Sequence, residues 1–207
     1  MVSVSLLVNK KWPHGFYEKI LFLKWKSRLL FGQNMHATVT TPTFKSVDPI
    51  GWPKAAVEEF ASELAQKVQF EPGGDIENVV EKLGGQIIYQ DTNEWFDSEN
   101  GSVEILGPKK FRIYLSNFTS HLRDRFTIAH ELGHYVIHSN FGQTPTKIAR
   151  HGSTRIEWEA NWFAAGFLMP EASFKKAVST QKDSGRVAAQ FNVSLRAVEV
   201  RRQSLGL

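Results

Sequence analysis

The feature that most constrains this chain is His130-Glu131-Leu132-Gly133-His134, set in the apolar run from Phe126 to His138. Residues four apart on an α-helix lie one turn above each other on the same face, so the spacing predicts a helix with two imidazoles side by side. Two such rings can share one Zn²⁺. Glu131 is turned about 100° from His130, at 3.6 residues per turn, which keeps its carboxylate off the metal yet near it. There it can serve as a base toward water whose pKa zinc lowers to about 7. Phe126, Ile128, Ala129, Leu132, Val136 and Ile137 form the apolar flank that would bury this helix.

Two imidazoles leave a zinc site incomplete. His138 lies eight residues after His130, about 12 Å along the axis at 1.5 Å per residue, too far for the same ion. The metzincin spacing fails as well, because Ile137 and Asn140 stand where it needs Gly and His. The chain has no cysteine, which excludes thiolate ligation, thiol catalysis and disulfides. The third ligand must be a His or carboxylate from another element. Thr154 to Met169 has helical period, and Glu157, Ala160, Asn161, Ala164 and Leu168 share one face of it. Alanine one turn from a carboxylate allows that face to come close to another helix, and Gly133 offers the matching gap. Glu157 is a candidate to complete a His₂Glu site, with Asn161 placed to orient His130 or His134 through the free ring nitrogen. Glu159 is the alternative ligand, on a different face. Thr154-x-x-Glu157 also reads as a capping box, which needs no metal.

The rest of the 207 residues, 42 % hydrophobic overall, is enough for one well-buried core. No apolar run reaches the length of a membrane span, and no secretory signal order is visible, so a cytoplasmic protein is expected. The net charge of +4 suggests nucleic acid only until it is divided: residues 1–35 carry +5 and the remainder −1. Residues 1–50 read as an N-terminal extension and linker, first Lys and aromatics without period, then a Thr/Pro-rich stretch. A basic membrane-surface segment is the alternative for the first part. Residues 51–207 read as one domain, with a helix–turn–helix-like segment at about 185–207.

Within that domain, Val57, Phe60, Ala61, Leu64, Ala65 and Val68 predict an amphipathic helix behind Pro53. A second helix is expected from an Asp75 cap through Leu83, stopped by Gly84-Gly85. Residues 86–90 read as a strand, the acidic stretch 91–100 as a solvated loop, and 103–106 with 111–115 as strand, turn and strand. Ser116, Asn117, Thr119 or Ser120 would cap the metal helix. Residues 142–152 read as a loop containing His151. The fold class expected is α+β, a zincin-like domain with a small twisted sheet packed on the metal helix and a C-terminal helical hairpin.

The combination Phe126-Thr-Ile-Ala-His-Glu-Leu-Gly-His134, Glu157-x-x-Ala-Asn161-x-Phe163-Ala164 and Phe167-Leu-Met-Pro170 resembles the ImmA/IrrE family of zinc metallopeptidases. The similarity runs from about Pro53 to the C-terminus, includes Asp75-Ile-Glu, Leu83-Gly84 and Val193-Ser194, and omits residues 1–50. It departs at Phe167, where Leu is usual. The resemblance implies a gluzincin-type endopeptidase with Zn²⁺ as cofactor, held by His130, His134 and Glu157, with Glu131 as catalytic base. It further implies a protein substrate, a helix-turn-helix repressor, cleaved in stress response or mobile-element regulation.

A different class of function competes with this one. Residues 187–202 have the outline of a helix-turn-helix, with Asn192 at the turn, Ser194 as cap, and Arg196, Arg201 and Arg202 offered to phosphates. On that reading the chain is a DNA-binding or adaptor protein and its metal site is structural or vestigial. Tyr114, His138 and His151 are candidates for oxyanion stabilisation, with none singled out. Strand order further suggests that 111–115 presents an open edge along the cleft, where an extended peptide would pair.

Overall fold

The computed structural model describes residues 43–91, 102–148 and 154–207. Helix α1 (Lys54–Lys67) starts behind Pro53 and buries Val57, Phe60, Ala61, Leu64 and Ala65, while Val68 sits half-buried at its C-cap. Asp75 caps α2 (Ile76–Lys82), accepting from the N–H groups of Glu77 and Asn78 at 2.9 and 3.2 Å. Gly84, at φ +84°, turns the chain into β1 (Gly85–Gln90), a conformation that a residue with a Cβ resists. β2 (Val103–Gly107) and β3 (Lys110–Ser116) form the expected hairpin. Of the acidic loop 91–100, residues 92–100 lie outside the described residues.

β3 leads to the metal helix, α3 (His121–Gly133), capped by Ser120, whose Oγ accepts from the Arg123 N–H. The helix does not continue as α through His138. It widens into a π turn over His134–His138, in which the Ser139 N–H reaches the His134 carbonyl five residues back. Within the stretch read as loop, Thr146–Ile148 forms a short strand, β4; residues 149–153, with His151, lie outside the described residues. Three residues with β spacing are too few to register in sequence. The remaining helices are α4 (Arg155–Leu168), α5 (Glu171–Thr180), α6 (Ser184–Phe191) and α7 (Leu195–Leu205).

The described fold is α+β. Its sheet has the order β1-β3-β2-β4, with β1 parallel to β3 and both other pairings antiparallel. This order overturns the open-edge expectation: 111–115 is central, paired with β1 over its length and with β2 along most of it. Among the described residues the outer strands are β1 and β4. The sheet packs on the metal helix through Phe111, whose ring stacks on Tyr135 at 3.9 Å between centroids. On the other side α4 lies against both α3 and α1. A Cβ on Gly133 would stand 3.2 Å from the Ala160 Cα, and one on Gly166 2.6 Å from the Glu58 Cα. These glycines let three helices close on one apolar seam that includes Phe60, Phe163 and Phe167.

Residues 43–50, taken from their composition as linker, are hydrogen-bonded to this domain. The Lys45 N–H donates to the Pro145 carbonyl and the Lys45 carbonyl accepts from Thr146 Oγ1. Thr/Pro composition reports missing periodicity, and an extended strap has none. At the other end, Asn192 adopts the left-handed conformation between α6 and α7, and Ser194 Oγ caps α7. Arg201 is not available to phosphate: it is 1 % exposed, pairs with Glu58 at 2.7 Å and donates to the Met169 carbonyl. It ties the hairpin to α1. No helix among the described residues is long and apolar enough to cross a membrane.

Candidate metal centre

α3 and α4 cross at the Gly133–Ala160 contact, and this crossing brings the three expected ligands together. Among the described residues His130, His134 and Glu157 form a cluster whose ligand atoms all lie within 4.8 Å of one another. Glu157 Oε2 is 3.1 Å from His130 Nε2, Glu157 Oε1 is 3.4 Å from His134 Nε2, and the two Nε2 atoms are 3.1 Å apart. Tetrahedral zinc ligands at 2.0–2.1 Å stand about 3.3–3.4 Å apart, and these separations, measured to one or the other Glu157 oxygen, are of that size, so the three residues fit as holders of one zinc ion. The capping-box alternative is not used, since Thr154 makes no side-chain cap hydrogen bond. Glu159 points elsewhere: it is fully buried and bonds His138 Nε2 at 3.1 Å. Residues two apart on a helix face opposite sides, which is why only one of these two glutamates reaches the cluster.

Asn161 stands where the sequence placed it, with Oδ1 3.0 Å from His130 Nδ1. Glu131, 3 % exposed, lines a cleft of about 450 Å³ together with His130, Glu157 and Asn161. The cleft is lined further by Ser102, Leu115 and Ser116 at the sheet and by Phe126 on α3. Tyr114 is absent from this lining, because its hydroxyl bonds Glu104 at 3.2 Å. His138 is buried behind His134, with 2.9 Å between their Nδ1 atoms, so it cannot meet an oxyanion in the cleft. That partnership of His138 and Glu159 was not read from the sequence. Its one signal was the repeated four-residue step from His134 to His138.

A family model described as the IrrE N-terminal-like domain, peptidase M78, matches residues 80–202. The chain belongs to this family. No curated protein matches. Among solved structures, a Mycobacterium tuberculosis transcriptional regulator shares 17 % sequence identity at a TM-score of 0.49, over 72 % of this chain and 47 % of its own. The chain thus spans about half the length of that protein.

The electrostatics of the M78 domain suit a cation at the cluster. Burial holds His134 neutral, lowering its pKa to about 4 against a smaller opposing effect of Glu157. Burial disfavours the ionised Glu157, but hydrogen bonds to His130 and His134 outweigh it and leave the pKa well below the usual carboxylate range. Burial also lowers His130, yet Glu157, Glu131 and Asn161 together reverse this and raise its pKa. A neutral imidazole and an ionised carboxylate are the forms in which His134 and Glu157 ligate a divalent metal, and His130, drawn toward protonation in the metal-free chain, would release its proton on binding one.

Proposed function

We propose that the chain is a zinc-dependent endopeptidase that hydrolyses a peptide bond in a specific partner protein. The observation that carries this reading is the convergence of His130, His134 and Glu157 in a cleft that Glu131 also lines. His130, His134 and Glu157 would hold the metal. When bound, zinc supplies Lewis acidity that polarises a carbonyl and lowers the pKa of water. Glu131 then takes the proton of the attacking water and delivers it to the leaving amine, so that the C–N bond breaks to carboxylate and amine. Asn161 Oδ1 accepts from His130 Nδ1–H, which directs the His130 lone pair at Nε2 into the cluster. Leu115 and Phe126 add apolar surface to an otherwise polar cleft.

The substrate we propose, a helix-turn-helix repressor in a stress or mobile-element circuit, follows from the resemblance to the ImmA/IrrE peptidases. The burial of Arg201 weighs against direct DNA binding through α7. Incubation with a cognate repressor should give cleavage at one or few sites that ceases on chelation. Casein should be cut slowly or not at all. Rapid digestion of casein at many sites would overturn the specific-partner reading, and unchanged cleavage in Glu131→Gln would overturn the mechanism.

A further inference from the structure

Behind the cleft runs a line of buried hydrogen bonds that the hydrolysis does not itself use. His134 Nδ1 meets His138 Nδ1 at 2.9 Å, and His138 Nε2 meets Glu159 Oε2 at 3.1 Å. Glu159 also accepts from the Ile50 and Gly51 N–H groups, at 2.8 Å each, and from Arg155 Nε at 3.0 Å. The side chains of His138 and Glu159 have no exposure and that of His134 has 1 %.

This line admits one arrangement of protons when both rings are neutral. A carboxylate only accepts, so His138 must carry its proton on Nε2 and donate it to Glu159. His138 Nδ1 is then a lone pair and can only accept, so His134 must carry its proton on Nδ1. The His134 lone pair is thereby left on Nε2, the atom that faces Glu157 and His130. A neutral imidazole without such a partner favours its proton on Nε2, which would block ligation. The π turn contributes by setting the His138 ring beside that of His134, 4.9 Å between centroids.

We propose that His138 and Glu159 are positioning residues that fix His134 in its metal-binding tautomer, with the Ile50–Gly51 strap holding Glu159 in place. The inference rests on the zinc reading above and extends the site to the segment ahead of α1. The zinc affinity of the full chain, measured against a competing chelator, tests it together with the ring ¹⁵N shifts of the zinc-free chain at neutral pH. Glu159→Gln and His138→Leu should each weaken zinc by about 10–100-fold. In the wild type His134 should show a protonated Nδ1 and a bare Nε2, and in both variants the proton should move toward Nε2. A wild type that binds no zinc would sink the metal reading itself. A wild type that binds zinc, beside variants of equal affinity, would overturn the relay alone. Weakened zinc with the His134 tautomer unchanged would assign the loss to general destabilisation and would also overturn it. Should His138→Leu not fold, the isosteric Glu159→Gln carries the same comparison.

Discussion

The two histidines of the centre stand one turn apart on one helix, yet opposite means hold them. His130 is 15 % exposed at its side chain and leans on Asn161, itself open to solvent. His134 is 1 % exposed and leans on a buried line through His138 to Glu159. Water can replace Asn161 as a partner, while nothing can replace the buried one without leaving polar atoms unsatisfied. The same chemical role therefore carries unequal structural consequence. The cleft side can tolerate change in its supporting residues, and the core side is bound into the fold.

The largest effects test the ligands themselves. The double variant His130→Ala, His134→Ala should hold no zinc by elemental analysis, and full retention would remove the site. The single variants should then differ in stability. His134→Ala strands His138 Nδ1 in the core and should destabilise the zinc-free chain by about 1–3 kcal/mol, read by urea unfolding. His130→Ala should lie below that range, and equal values would break the comparison. Glu131→Gln tests the residue between them. It should keep its zinc and lose about 10²–10⁴-fold in cleavage rate, whereas loss of zinc would make Glu131 a ligand. Asn161→Ala comes next, with zinc weakened by about tenfold, the lower end for such partners, because water takes its place.

Acid should separate the two sides again. Burial lowers the His134 pKa to about 4, so below about 6.5 the unfolded chain takes up a proton that the folded chain refuses. Stability of the zinc-free chain should fall as pH drops from 6.5 toward 4. His138, also lowered by burial, and Glu157, lowered by its hydrogen bonds to the histidines, act in the same sense. His130, with its raised pKa, acts oppositely, its contribution being present at low pH and lost as pH rises through the folded value. Removing it by His130→Ala should abolish the part of the stability that is lost as pH rises above about 6.5 and leave the loss between 6.5 and 4 in place, and an unchanged profile above 6.5 would deny the opposition. The smallest effect belongs to the far N-terminus. A chain beginning at Met35 should keep zinc affinity and melting temperature, since Lys45, Ile50 and Gly51 remain. One beginning at Trp52 should lose affinity, because Glu159 is then without two donors.

Much of this was legible because it rests on periods along one chain. His130 and His134 share a face by helical pitch, Glu131 leaves that face by the same arithmetic, and Asp75, Ser120 and Ser194 cap helices through local geometry. The choice of Glu157 over Glu159 needed more. Both lie on α4, and only the crossing at Gly133 and Ala160 decides which reaches the histidines. Arg201 looked like a surface cation because sequence shows its charge but not the Glu58 that receives it from a helix far upstream. The strap at residues 43–51 has no period to read, and its hydrogen bonds run to partners about a hundred residues away. The position of 111–115 inside the sheet depends on where β1 and β2 pair, an order that hairpin reading cannot supply. Local pitch and capping chemistry are written in neighbouring residues. Burial, strand order and the partner of a buried charge arise only when distant segments meet, and these decided which of the candidates stand together.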